Sequence, residues 1–221
     1  MLTCIELSIG FLGAWFISGL IYGILKKKRK DKIPKGAIAI EKKISNEENI
    51  RPGNSLIHKA MIIGLSIPML TLLFIVIMCL FRQWDNISPY FTFILPDWVN
   101  WLSMIGIWFI YFWGITVLVY NPNYTPIYKN IKGKYYLATG GPYKYIRHPY
   151  YTGNIFKIFL IFLVTGSWLV VFGIIAVVAI PFQAKKEEES LSELFGVNYR
   201  DYMARTGRFL PCLFKKRKKI N

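Results

Sequence analysis

Apolar residues in this chain gather into runs of about twenty or more, and charged residues are held out of them. A helix rises 1.5 Å per residue, so about 20 apolar residues cross a hydrocarbon core ~30 Å thick. Leu2 to Leu25 is the first such run, broken by Glu6 near one end and by Gly10, Gly13, Ser18, Gly19 and Gly23. Small residues let membrane helices approach closely. Ala60 to Phe81 is the second run; Pro68 inside it predicts a kink, which membrane helices tolerate. Trp98 to Tyr120 is the third. The last, Tyr151 to Phe182, is too long for one span and short for two. Thr165-Gly166-Ser167 at its middle reads as a tight turn, so a helical hairpin is expected there. The expected fold class is all-α integral membrane, with about five transmembrane helices, the last two a hairpin.

The formal charge of +16 is concentrated in the segments between these runs. Lys26-Lys27-Lys28-Arg29-Lys30 opens a polar loop over 26–59 that contains Pro34, Pro52 and Gly53. A second basic stretch, Asn121 to Tyr150, carries Lys129, Lys132, Lys134, Lys144 and Arg147. Lys185, Lys186 and the run Lys215-Lys216-Arg217-Lys218-Lys219 follow the last apolar run. Cytosolic loops are enriched in Lys and Arg, and all these blocks share one side only if the last run is a hairpin. The N-terminus is then expected outside and the C-terminus in the cytosol. The near-neutral Arg82 to Asp97 segment, with Trp84, Tyr90, Trp98 and Trp101 in and beside it, reads as an outer interfacial belt. Because the basic blocks flank apolar spans, the expected partner of the charge is anionic lipid headgroups and not nucleic acid. Met1 to Ile5 carries no Lys or Arg, so the first run reads as a span and not as a cleaved signal.

Cys4, Cys79 and Cys212 have no metal-ligand spacing, and Cys4 and Cys79, lying in apolar runs, read as packing residues. With His58 and His148 as the two histidines, no metal site is expected. The expected organisation is spans one to three over 1–133, a core over 134–211 and a basic tail over 212–221.

Two stretches on the basic side are rich in functional side chains. One runs from Gly140 to Gly153 and holds Tyr143, Arg147, His148, Pro149, Tyr150 and Tyr151. The other starts at Glu187-Glu188-Glu189 and continues through Phe195, Gly196, Tyr199, Tyr202 and Arg208 to Pro211. The hairpin between them returns the chain to the same membrane surface. Gly-Gly-Pro supplies a turn, the tyrosines supply aromatic faces, and a carboxylate accepts hydrogen bonds from an amino group or a ribose hydroxyl. Such a set suits a small cofactor with an adenine face, hydroxyls and an ammonium. Each piece alone has a plainer reading. Arg147 and His148 are also what an interfacial anchor looks like, and the Glu cluster what a solvated helix surface looks like. Lys157 reads as a side chain snorkelling to the interface.

The pattern Gly-x-Tyr-x-x-x-Arg-His-Pro-x-Tyr-x-Gly is met by Gly141, Tyr143, Arg147, His148, Pro149, Tyr151 and Gly153. It is followed by Glu187-Glu188-x-x-Leu191, Phe195-Gly196-x-x-Tyr199-x-x-Tyr202, and Thr206-Gly207-x-x-x-Pro211. Over about residues 134–211 this resembles the isoprenylcysteine carboxyl methyltransferase family, related to the phospholipid N-methyltransferases. The resemblance implies S-adenosylmethionine as cofactor. By position it implies cofactor contacts at Tyr135, Tyr136, Leu137, Ala138, Tyr143, His148, Pro149, Tyr150, Tyr151, Glu187 and Glu188. Arg147, Gln183 and Arg208 are candidates for positioning the reactants, and no catalytic residue is assigned. The implied acceptor is a membrane lipid or lipidated small molecule.

Two departures bear on that acceptor. Gln183 stands where the compared family members have an Arg able to neutralise a substrate carboxylate. Asn121-Pro122-Asn123-Tyr124 stands where a Leu-Gly-x-x-Trp-like segment is usual. A prenylcysteine carboxylate, a phospholipid amine and another apolar acceptor all stay open. So do two other classes: an NADPH-dependent membrane sterol-type reductase, whose C-terminal part is similar, and a non-enzymatic lipid-binding membrane protein.

Overall fold

The computed structural model describes residues 2–29, 36–40, 55–121 and 135–212. The elements in chain order are helix α1 (Cys4–Arg29), strand β1 (Ile38–Ile40), helices α2 (Leu56–Leu80), α3 (Trp84–Phe91) and α4 (Asp97–Tyr120), strand β2 (Tyr135–Leu137), and helices α5 (Pro149–Thr165), α6 (Ile174–Phe195) and α7 (Val197–Arg205). Short 3-10 turns occupy Gly141–Lys144 and Trp168–Gly173. Apart from the two three-residue strands this is an all-α membrane protein. Among the described residues, four segments are long and apolar enough to cross a membrane: Cys4–Leu25, Leu56–Leu80, Asp97–Tyr120 and Trp168–Phe195. The fifth apolar helix, α5, has 17 residues, about 25 Å, at the short end of what spans a hydrocarbon core. The expected basic positions Lys30, Lys129, Lys132 and Lys134 and the run 215–219 lie outside the described residues, as do Pro34, Pro52, Gly53, Pro122, Asn123 and Tyr124.

The described chain divides into two compact units, one of residues 1–21, 53–113 and 153–183, the other of residues 22–52, 114–152 and 184–221. The first is a helical bundle. α2 shows why it reads as a lipid-facing helix: Met61, Gly64, Pro68, Thr71, Leu72, Ile75 and Val76 form one buried stripe. Yet Ile62, Ile63, Leu70 and Leu73 on its exposed face are equally apolar. In water that face would be polar; in hydrocarbon it need not be. Gly64 lets α2 touch α6, because a Cβ there would overlap the backbone nitrogen of Ala176.

The expected hairpin turn forms where Thr165-Gly166-Ser167 places it. α5 ends at Thr165, and Gly166 takes the left-handed conformation (φ 62°) that favours glycine after a helix. The end of α3, the start of α4 and the segment joining them staple the turn. Phe93 N–H donates to the Gly166 carbonyl at 2.8 Å, Trp168 Nε1 donates to the Tyr90 carbonyl at 2.9 Å, and Asn100 Nδ2 donates to the Leu163 carbonyl at 2.8 Å. Asn100 thus satisfies a carbonyl that the C-terminus of α5 leaves open.

Two expectations need correction. Arg82 to Asp97 is not only a connecting belt, because Trp84, Ile87, Ser88 and Phe91 face inward at helical spacing and make α3 amphipathic. Cys4 and Cys79 are not simple packing residues; they form a disulfide with Cα atoms 5.4 Å apart. The bond joins the beginning of α1 to the end of α2 across 75 positions of sequence.

In the second unit, β1 and β2 pair antiparallel with Ile38 opposite Leu137. Behind this ladder, Leu137, Leu191, Phe195, Tyr199 and Tyr202 form a buried cluster, with Ile38, Leu194 and Met203 against it. This cluster fixes the charged end of α6 and all of α7.

Candidate functional site

The site lies within the second unit and starts from the dipeptide His148-Pro149. Proline disfavours a helical residue before it and is well placed at the first position of a helix. Pro149 accordingly opens α5 and leaves His148 outside it, with the His148 carbonyl accepting from Thr152 N–H at 3.1 Å. The backbone before Pro149 pairs with the C-terminal segment in a parallel bridge between Ile146 and Gly207. Arg147 N–H donates to Gly207 O at 2.8 Å, His148 N–H to Arg208 O at 3.0 Å, and Gly207 N–H to Tyr145 O at 3.1 Å. Thr152 Oγ1 adds a bond to Phe209 O at 2.7 Å. His148 is therefore held from both sides before any side chain is considered.

The α6 helix supplies the carboxylates. Successive helical residues point about 100° apart, so Glu187 and Glu188 diverge. Glu188, 6% exposed, faces the guanidinium groups: Arg147 Nε at 2.8 Å, and Arg208 Nη2 at 2.6 Å and Nε at 3.1 Å. Arg147 Nη1 also donates to the carbonyls of Met203 and Thr206. Hydrogen bonding to Glu188 raises the Arg208 pKa above its ordinary value. Glu187 instead accepts from the Tyr151 hydroxyl at 2.5 Å. The His148 ring sits between the two acids, Nε2 at 3.3 Å from Glu188 Oε1 and Nδ1 at 3.5 Å from Glu187 Oε2. It stacks on Tyr151 with centroids 5.5 Å apart, and Phe209 lies 6.0 Å away. Below, Tyr202 donates to the Tyr143 carbonyl at 2.7 Å, and burial pushes the Tyr202 and Tyr199 phenols up.

These residues border an open cleft of about 290 Å3, counting the part that merges with solvent. It is lined by Asn121, Tyr143, Arg147, His148, Pro149, Tyr150, Tyr151 and Glu187. Of the residues singled out from sequence, Tyr143, His148, Pro149, Tyr150, Tyr151 and Glu187 thus meet at one surface. Tyr136, Leu137 and Ala138 are buried in and beside β2 and do not line the cleft; Tyr135 is part of the same strand. Glu188 lies behind the wall, in the ion-pair cluster. Gln183 is fully buried on α6, four residues before Glu187. Asn121, noted from sequence only as part of a departure from the family pattern and not as a site residue, also lines the cleft. The available signal was its position directly after a long helix, where Asn is favoured as a terminator.

Residues 97–198 match the phospholipid methyltransferase family model. The phospholipid methyltransferase match includes every cleft-lining residue together with Glu188, and it ends before Arg208. That family stands in one group with the isoprenylcysteine carboxyl methyltransferases. The match supports a membrane methyltransferase, a class that normally uses S-adenosylmethionine. No curated protein matches the chain.

Proposed function

We propose that the chain is an S-adenosylmethionine-dependent methyltransferase that acts on a membrane lipid, with an amine headgroup favoured over a prenylcysteine carboxylate as acceptor. The observation that carries the reading is the Glu187 carboxylate set in a cleft walled by Tyr143, His148, Tyr150 and Tyr151. Carboxylate and aromatic faces are what a cationic, adenine-bearing molecule needs. When bound, the cofactor supplies a methyl group activated by its sulfonium. The chain's own residues would hold its ammonium or ribose at Glu187, stack its ring on the tyrosines and shield the reacting atoms from water. Catalysis by such a site is mainly positioning.

The amine preference follows from charge. The guanidinium groups of Arg147 and Arg208 are both engaged by Glu188, while Glu187 lines the cleft. The cleft wall therefore favours a cation over an anion. Incubating membranes with labelled cofactor separates the acceptors: label in a stable amine supports this reading, and label in a base-labile ester overturns the acceptor assignment. The site itself is tested by Glu187→Ala. Loss of a charge-assisted partner worth about 2–3 kcal/mol should weaken binding of labelled S-adenosylmethionine on the order of 100-fold. Unchanged binding would remove Glu187 from the site.

The membrane orientation belongs to the same proposal. Disulfides persist in oxidising compartments, and Lys-rich loops stay cytosolic. Cys4 at the first turn of α1 is bonded, while the basic run closes the same helix at Arg29. The N-terminus is thus assigned to the non-cytosolic side and the C-terminal segment to the cytosol. Cys212, free and exposed, should react with an impermeant maleimide only when the cytosolic face is open. Cys4 and Cys79 should react only after reduction. Labelling of Cys212 in intact cells would invert the assignment.

A further inference from the structure

We infer that Lys157 and Asn154, on the inner side of α5, hold the phosphodiester of a membrane phospholipid at the seam between α4 and α5. The site lies in the first unit alone and is independent of the methyltransferase reading. The two sides of α5 are distinct. Phe156 and Phe159 are 49% and 57% exposed and mark the lipid side. Asn154, Ile158, Ile161 and Val164 are buried and mark the inner side. Residues three, four and seven apart share a helix face. Lys157 stands three after Asn154, four before Ile161 and seven before Val164, so it belongs to the inner side, where it is half-buried. A lysine that only snorkelled along lipid would stand with the phenylalanines. Ionisable side chains inside spans face the bundle interior and pair there.

The protein itself does not supply that pair. Among the described residues Lys157 has no ion pair and no hydrogen bond from its side chain. The acids of the first unit among those residues are Glu6, Asp85 and Asp97, in the first turns of α1, α3 and α4. α4 and α5 run antiparallel, since a Cβ on Gly106 would meet Leu160 and one on Gly153 would meet Trp113. That register sets Lys157 level with residue 109, about 18 Å along α4 from Asp97. Glu6 accepts from Thr3 beside the Cys4–Cys79 bond, and Asp85 lies on α3, which meets the turn after α5 through Tyr90 and Trp168. All three acids thus stand at the far end. A second donor is left over on the same side of the helix. Asn154 is 5% exposed, and its Nδ2 is buried with no hydrogen-bond partner. The Tyr111 hydroxyl, on α4 at the level of residue 155, is buried and without a partner as well. Buried donors are costly to leave unpaired. An ammonium and an amide with no acid at their level call for an anionic acceptor from outside the chain.

Depth decides which anion. Lys157 lies about 12 Å into α5, and a helical side chain leans toward the N-terminus of its helix. The four-carbon stem brings the ammonium back by about 6 Å, which leaves it about 6 Å inside the start of α5. A free phosphate ion would have to shed its water to come that deep. A phospholipid brings its phosphodiester there on tails that stay in hydrocarbon, against the apolar side marked by Phe156 and Phe159.

Full-length protein, delipidated in an uncharged detergent, allows the test by melting temperature. Phosphatidylglycerol, which carries a phosphodiester and no amine, should raise it, because a ligand of the folded state alone stabilises that state. Lys157→Met and Asn154→Ala should each weaken the apparent affinity for this lipid on the order of 10-fold. Diacylglycerol, which lacks the phosphate, and inorganic phosphate, which lacks the tails, should leave the wild-type melting temperature where it is. Without lipid, Lys157→Met should melt at or above the wild-type temperature, since it removes an unpaired charge from a span, and this shows that the variant folds. A wild-type response to inorganic phosphate as large as that to the lipid would overturn the assignment to a lipid. The same lipid affinity in the wild type and both variants, or no response of the wild type, would overturn the site. A loss confined to Lys157→Met would make Lys157 a plain contact with headgroups at the interface and overturn the shared site with Asn154.

Discussion

Arg147→Met should destabilise the protein by about 3–5 kcal/mol, the usual cost of removing one partner from a buried ion pair. The Arg147 side chain is 12% exposed and does three things at once. It neutralises Glu188, and it satisfies the carbonyls of Met203 and Thr206 at the end of α7. Methionine keeps most of the volume but leaves Glu188 with a half-exposed arginine and leaves two carbonyls without this donor. The expected reading is a melting temperature lower by roughly 10 °C in detergent micelles. Arg208, whose side chain is 38% exposed, provides the contrast: Arg208→Gln should cost about 1 kcal/mol, as partly solvated pairs do. Equal effects at the two positions would show that burial does not set the strength of this cluster.

Gly64→Val should be almost as damaging, and for a reason with no electrostatics in it. The α2 and α6 helices approach so closely at this point that even a Cβ would overlap the Ala176 backbone. A backbone atom cannot swing aside as a side-chain tip can, so valine must force the helices apart. Overpacking of this kind costs about 1–3 kcal/mol or more. In a bundle without a hydrophobic force between helices, the lost van der Waals contact adds to it. Gly19→Val on α1 is the control, since nothing lies within 4 Å of a Cβ there. The pair can be compared by the fraction of protein that remains monodisperse after heating. Similar behaviour would deny that Gly64 is a contact point.

The parts of this fold that could be read from sequence are those that depend on local or periodic signals. The apolar runs follow from composition along the chain, and the turn at Gly166 from the local chemistry of Thr-Gly-Ser. The two site-bearing stretches were legible as candidates because the hairpin returns the chain to where it started. What escaped reading depends on contacts through space. The direction in which Glu188 points is set by Arg147 and Arg208, one of them on a segment 20 residues further on. The Cys4–Cys79 bond depends on α1 and α2 being neighbours, which no spacing rule encodes. α3 was hidden by Pro89 and by its eight-residue length, too short for a convincing period. The burial of Leu137 required knowing that β1, from a distant loop, pairs with β2.

The parallel bridge between Ile146 and Gly207 also sets an order of events. A membrane protein is made from its N-terminus at about 5–20 residues per second, and each span enters the bilayer as it emerges. His148 and the tyrosines beside it are present early, but the backbone that pairs with them is made some 60 residues later. Glu188 is likewise synthesised before Arg208. A nascent chain halted before Thr206 would therefore have every residue of the cleft wall, yet no C-terminal segment to hold His148 in register. The cleft therefore takes its final form only after residues 206–209 are made, later than the helices that carry its wall.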